Sequence, residues 1–131
     1  MALKSSMRIL LTDPSSGNRQ AIKSMLGNIG FKNVTEAIDG EKAWQKIEEA
    51  GSESPFELII AAWEIDKISG LDLLKKVRGN GTIAKTKFLM ITSEADQQNI
   101  VIAVKSGVNN VVVRPFSSNT LMEKIGKIFG V

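Results

Sequence analysis

The chain has 131 residues, of which 43% are hydrophobic and 24% charged, so one globular domain over residues 1–131 is expected. The same composition excludes a disordered or coiled-coil protein. The absence of cysteine and histidine excludes disulfides, thiolate metal sites and the commonest general base. A net charge of +3 permits an acidic partner without requiring one.

The first third of the chain predicts strand, helix, strand and helix. Residues 9–11 form a short apolar run stopped by an Asp-Pro pair, which is typical of a buried strand. A helix ending at Gly30 follows, then a strand over residues 33–37 and a second helix with Asp39 as its N-cap. The apolar stripes of these helices are Ala21 or Ile22, Met25, Leu26 and Ile29, and then Ala43, Trp44 and Ile47.

The rest of the chain repeats this alternation three times. Residues 58–62 are apolar without interruption, which indicates a central parallel strand. Residues 69–72 and 93–96 both resemble helix caps, and strands are predicted over residues 88–91 and 111–113. The three helical stripes are Leu73, Leu74 and Val77, then Ile100, Ala103 and Val104, and finally Leu121, Ile125, Ile128 and Phe129.

Five strands alternating with five helices predict an α/β protein of the flavodoxin-like, doubly wound (βα)5 class. Its five-stranded parallel sheet would carry helices on both faces, after a short N-terminal tail over residues 1–7. In such sheets ligands bind outside the carboxyl ends of the strands. The residues predicted at those ends are Thr12, Asp13, Ala62, Trp63, Thr92, Ser93, Arg114 and Pro115.

These strand ends carry little catalytic equipment. Asp13 is the one carboxylate well placed for a metal, so magnesium binding is expected to be weak or absent and no cofactor is expected. Thr92 has no histidine to activate it, and no phosphate-cradling glycine loop follows the first strand. Glu64 and Asp66 fall in the next loop and are expected to face water. We therefore expect a protein that is not an enzyme.

Membranes and nucleic acids are not expected partners. No apolar run approaches the roughly 20 residues that span a bilayer, and the first six residues lack the apolar core of a secretory signal, so a cytoplasmic location is expected. The one basic stretch without acids has no interleaved aromatic residues, which favours a solvated face. Its members are Lys75, Lys76, Arg78, Lys85 and Lys87.

Five short segments, in order and at the right spacing, resemble the receiver domains of two-component response regulators over almost the whole chain. The likeness is to the single-domain chemotaxis type called CheY-like, especially from Asn110 to Phe129. The segments are residues 9–13, 36–40, 70–74, 89–92 and 112–116. This resemblance implies signalling through a protein partner, expected to be a flagellar-motor or chemotaxis component, at the face formed by the fourth helix, fifth strand and fifth helix.

The same resemblance implies a degenerate phosphorylation site. In the family, two acids after the first strand and an aspartate ending the third bind magnesium, and that last aspartate is phosphorylated. Here Thr12 replaces the first acid and Ala62 occupies the phosphoacceptor position. Arg114 replaces a lysine and Val111 an aromatic switch residue, whereas the phosphate-sensing hydroxyl, Thr92, is retained.

Several interpretations of these departures follow. Engineered inactivation would explain Ala62 alone, so the four departures together favour a naturally degenerate receiver that works as a phosphorylation-independent interaction module. The rivals are a working receiver that uses Glu64 or Asp66 as acceptor, and a domain that binds a small ligand in the strand-end crevice. We expect Asp13 and Arg114 to neutralise each other without metal, and the resemblance implies a cis bond before Pro115.

Overall fold

The computed structural model describes residues 4–93 and 97–131 and has the predicted alternation of strands and helices. The strands are β1 (Ile9–Thr12), β2 (Val34–Ala37), β3 (Leu58–Ala62), β4 (Lys87–Thr92) and β5 (Asn110–Val113). The helices are α1 (Ser16–Asn28), α2 (Gly40–Ala50), α3 (Gly70–Arg78), α4 (Gln97–Lys105) and α5 (Ser118–Phe129). The predicted bounds of β3 agree with the structure. Those of the other four strands differ from it by no more than one residue at either end.

The five strands form one parallel sheet in the order β2-β1-β3-β4-β5, which confirms the predicted fold class. Ile9 of β1 pairs with Val34 of β2 on one side and Leu58 of β3 on the other. The chain moves outward from β1 to β2 and then back across to β3, so the strand order reverses between β1 and β3. In doubly wound sheets this reversal opens a crevice at the carboxyl ends of the two strands.

The core consists of two apolar layers, one on each face of the sheet. Alternate side chains of each strand point to opposite faces, so Leu10 and Ile59 enter one layer while Leu11 and Ile60 enter the other. The first layer packs under α2 and α3, and the second packs under α1 and α5. Met7, the last residue of the predicted tail, is buried in the second layer.

Short polar side chains begin the helices. The predicted N-caps are confirmed, because Asp39 accepts the backbone N–H of Lys42 and Ser69 accepts that of Asp72. Ser15 and Ser117 cap α1 and α5 in the same way. The cap predicted over residues 93–96 lies, except for residue 93, outside the described residues. Within residues 4–93 and 97–131, the helices are too short or too polar to cross a membrane.

The stability of the fold is expected to depend on the buried side chains of β3. Ile60→Ala removes a fully buried side chain, so the free energy of unfolding should fall by about 2–5 kcal/mol through lost burial and the cavity left behind. Ile38→Ala is the matched control, because Ile38 is 52% exposed. Urea denaturation of both variants checks the expectation, and equal losses would show that the second layer is loosely packed.

Candidate functional site

The carboxyl ends of β1, β3, β4 and β5 bring the predicted site residues together. Thr12 aligns with Ala61, Ala62 aligns with Ile91, and Thr92 aligns with Val113. These registers place the residues that end β1, β3, β4 and β5 at one edge of the sheet. The predicted strand-end residues therefore lie at the edge of the sheet where the strand order reverses.

Asp13 is the buried carboxylate at the centre of this edge, with 1% of its surface exposed. Its Oδ1 accepts the backbone N–H of Ser15 at 2.9 Å, and its Oδ2 accepts a hydrogen bond from Nη2 of Arg114. Its own backbone N–H donates to the carbonyl of Ala37 on β2. Both oxygens of the carboxylate are thus engaged by groups of the protein itself.

Arg114 reaches this carboxylate from the end of β5, an edge strand of the sheet. Its backbone N–H donates to the carbonyl of Thr92 at 2.9 Å, which fixes the residue at the end of β5. The peptide bond between Arg114 and Pro115 is cis, as predicted. The ion pair between Arg114 and Asp13 is also as predicted, and the arginine side chain is 24% exposed. The guanidinium of Arg114 therefore neutralises the charge of Asp13.

Two other positions in the pocket hold small side chains. Ala62 ends β3, is 2% exposed and offers only a methyl group. The hydroxyl oxygen of Thr12 is fully buried and has no hydrogen-bond partner among the described residues. Gly70 begins α3 directly behind Ala62, and a methyl group on it would come within 2.4 Å of the Ala62 carbonyl oxygen. The loop after β3 thus requires glycine at this point.

The residues of the pocket do not fit a magnesium ion. Such an ion takes near-octahedral oxygen ligands, including one or two carboxylates. Here the carboxylate of Asp13 is bound to a guanidinium, and Ala62 supplies no oxygen ligand from its side chain. Within residues 4–93 and 97–131, three acids do not come together at any place that could hold a metal.

The loop acids considered as alternative acceptors face solvent. Glu64 and Asp66 are both exposed, and neither carboxylate forms a hydrogen bond or ion pair with another described residue. The loop is fixed by its backbone, since the carbonyl of Trp63 accepts the N–H of Ile65 and of Gly70. The side chain of Trp63 itself is half-buried against the first layer of the core.

The remaining site residues lie around this edge. Thr92 is buried at the end of β4, with 3% of its surface exposed. Val111 on β5 is half-buried and packs against the first layer of the core. Pro115 is exposed after its cis bond. The valine side chain at position 111 is smaller than the aromatic side chain that the family resemblance implies there.

Arg19 is a member of the site that the sequence did not reveal. Its Nη1 donates to the backbone carbonyl of Asp13 at 2.7 Å, and its Nε donates to Oε1 of Glu36 on β2 at 3.1 Å. Lys23 forms a second, more exposed ion pair with Glu36. Arg19 therefore fastens the loop after β1 to the edge strand. Its helical position carries no local signal of these contacts, because Glu36 lies 17 residues away in sequence.

Comparison with known proteins identifies the family to which this fold belongs. The family model for the response regulator receiver domain matches residues 9–126. The chain belongs to this family.

Within the family the chain is similar to chemotaxis proteins of the CheY type. It is 36% identical to the chemotaxis protein CheY1 of Helicobacter pylori over 124 residues, which cover 95% of this chain and 98% of that protein. It is also 36% identical to the chemotaxis protein CheY-3 of Vibrio cholerae over 127 residues, covering 97% and 95% of the two chains.

Solved structures agree with this assignment. The Vibrio cholerae chemotaxis protein CheY4 superposes with a TM-score of 0.83 at 26% identity, covering 94% of this chain and 98% of that one. A response regulator from Chloroflexus aurantiacus superposes with a TM-score of 0.86 over 96% and 99% of the chains. Its 22% identity supports the fold alone.

The ion pair is expected to stabilise the fold more than a surface charge does. Arg114→Ala leaves a buried carboxylate without its partner, so the free energy of unfolding should fall by about 1–3 kcal/mol. Lys127→Ala, which removes an exposed cation, should change it by less than about 0.5 kcal/mol. Urea denaturation measures both, and equal effects would contradict a stabilising pair.

Millimolar magnesium should not raise the melting temperature of the unmutated protein.

The buried hydroxyl of Thr12 is expected to cost stability. Thr12→Val keeps the shape of the side chain and removes an oxygen that lacks a partner in the described structure, so the free energy of unfolding should rise by about 1 kcal/mol. Thr12→Ser retains the hydroxyl and loses a methyl group, so it should be less stable than the unmutated protein. Thermal and urea denaturation compare the three proteins. A loss of stability in Thr12→Val would mean that the hydroxyl holds a water molecule.

Proposed function

We propose that this receiver domain is a protein-interaction module whose conformation is not set by aspartyl phosphorylation. It acts in the cytoplasm, in chemotaxis or a related two-component pathway, and is not an enzyme. The whole chain serves as one receiver-like domain. The observation that carries the proposal is the side chain of Ala62 at the phosphoacceptor position, because a methyl group has no oxygen to accept a phosphoryl group.

The ion pair at the strand ends supports the same proposal. An intact receiver pocket crowds three carboxylates, whose mutual repulsion a divalent cation relieves. In this chain one carboxylate remains, and the guanidinium of Arg114 already neutralises Asp13. An arginine is well suited to this role, since its planar, positively charged group carries five N–H donors. The pocket thus has its own cation and needs neither metal nor phosphate to balance its charge.

The proposed docking face consists of α4, β5 and α5. Exposed apolar side chains are concentrated there: Val101, Ile102 and Val104 on α4 are 43%, 43% and 60% exposed, and Met122 on α5 is 48% exposed. A shallow groove of about 490 Å³ lies along α4 beside Gln97 and Gln98. Apolar groups of this kind at a surface are typical of protein interfaces. A flagellar-motor or chemotaxis component is the class of partner that we propose.

The proposal predicts that phosphodonors leave the protein unmodified. Incubation with acetyl phosphate and magnesium should add no phosphoryl group, as read by intact-protein mass spectrometry. A hydroxylamine-sensitive adduct, located at Glu64 or Asp66 by fragmentation, would contradict the proposal and establish a working receiver with a displaced acceptor. Glu64→Gln and Asp66→Asn would then identify which carboxylate accepts the group.

Two variants make this experiment sharper. Ala62→Asp alone should stay unlabelled, because a bound divalent ion would meet the charge of Arg114 at a cost of several kcal/mol, even at an effective dielectric constant of about 20. The triple variant Thr12→Asp, Ala62→Asp and Arg114→Lys restores the acids and the lysine of the family pattern. It is the positive control and should be labelled. Rapid labelling of Ala62→Asp alone would show that the other departures do not silence the pocket.

A further inference from the structure

The charges of this chain are unevenly distributed along the sequence. Between Asp72 and Glu94 there are four lysines and one arginine and no acidic residue. Lys105 follows in a second acid-free stretch, which extends from Asp96 to Glu123. Such asymmetry within a domain indicates a surface of one sign when the fold brings these stretches together.

The side chain of Arg78 brings them together. Its Nε donates to the carbonyl of Gly107 at 2.9 Å, and its Nη1 donates to the carbonyls of Ala84 at 2.9 Å and Thr86 at 2.6 Å. Its Nη2 donates to Oδ1 of Asn109 at 2.9 Å. One guanidinium thus joins the end of α3, the loop before β4 and the loop before β5. Burial lowers the pKa of Arg78, and its partners are neutral oxygens rather than a carboxylate.

The lysines lie around this junction. Lys85 lies between Ala84 and Thr86, whose carbonyls accept hydrogen bonds from Arg78. Lys105 is the last residue of α4 and lies two residues before Gly107, whose carbonyl is the third acceptor. Lys75 and Lys76 are in the last turn of α3, and Lys87 begins β4. We define the basic surface by these five lysines. It lies near the amino end of β4, so the length of that strand separates it from the crevice that contains Asp13.

The cations of the basic surface are available to a partner. Four of its lysines are exposed and Lys87 is half-buried, and none of the five forms an ion pair within residues 4–93 and 97–131. The adjoining elements carry Asp72 at the start of α3 and Glu48 on α2, and neither pairs with these lysines. Lys76 is exposed, and its ammonium group lies 4.8 Å from the ring centre of Trp44.

We propose that the basic surface binds an acidic segment of another polypeptide. Charge complementarity points to an acidic partner, because five like charges held on one clamped junction attract anions and repel other cations. The basic surface is separate from the crevice, and it meets the face of α4, β5 and α5 only at Lys105, the last residue of α4. A partner could therefore occupy it whether or not the proposed function is correct.

The details of the basic surface favour carboxylates over nucleic-acid phosphates. Its exposed cations are all lysines. The guanidinium of Arg78 donates its hydrogen bonds to oxygens of the protein itself. Single-stranded nucleic acids also need aromatic rings on which bases stack. The ring beside this surface, Trp44, is covered by Lys76.

Fluorescence anisotropy with a labelled twelve-residue peptide of glutamate and glycine tests the proposal. The full chain should bind the peptide at low salt and release it as sodium chloride is added. Lys75→Glu with Lys85→Glu should weaken binding at least tenfold. Lys42→Glu with Lys127→Glu makes the same change in net charge at exposed lysines elsewhere and should alter binding less than twofold. Circular dichroism confirms that both variants fold.

Three outcomes would overturn the proposal. Absence of salt-sensitive peptide binding, or equal loss in both double variants, would show that this surface has no particular role. Tenfold tighter binding of a DNA duplex or of phosphatidylserine vesicles would assign it to another class of partner. Sedimentation that reveals self-association at low salt, lost in Lys75→Glu with Lys85→Glu, would assign it to a second copy of this chain.

Discussion

The buried carboxylate of Asp13 is the constraint around which the strand-end crevice is built. A carboxylate with 1% of its surface exposed loses most of its hydration, and an unpaired charge in such a place costs several kcal/mol. Arg114 offsets part of this cost by reaching across the ends of β3 and β4, which lie between the two residues in the sheet. The methyl group of Ala62 at the end of β3 leaves that path free of a competing carboxylate. The ion pair and the alanine are therefore physically consistent with each other.

Three of the four arginines form hydrogen bonds that hold loops in place, whereas most of the lysines face water. Arg114 joins β5 to β1, Arg19 joins the loop after β1 to β2, and Arg78 joins α3 to the loops before β4 and β5. A planar group with five donors can satisfy several oxygens at once, which a single ammonium does less well. The arrangement leaves lysine charges outside, and it is the reason that the basic surface lies on a clamped junction.

Several features could be predicted from the sequence, most of them because they depend on neighbours along the chain. The strand over residues 58–62 follows from an unbroken apolar run, and the caps at Asp39 and Ser69 follow from contacts three residues apart. The ion pair between Asp13 and Arg114 could also be predicted, because the alternation of strands and helices places both residues at the carboxyl edge of a parallel sheet.

Other features were decided only by tertiary structure. Arg78 binds the carbonyl of Gly107, 29 residues away, and Arg19 binds Glu36, 17 residues away. Met7 is buried although the sequence assigned it to a tail, and the buried hydroxyl of Thr12 lacks a partner among the described residues. A local pattern determines which residues form a helix or strand and which side faces the core. The contacts of long side chains depend on which loops the crossover connections bring beside them, and no local spacing encodes that.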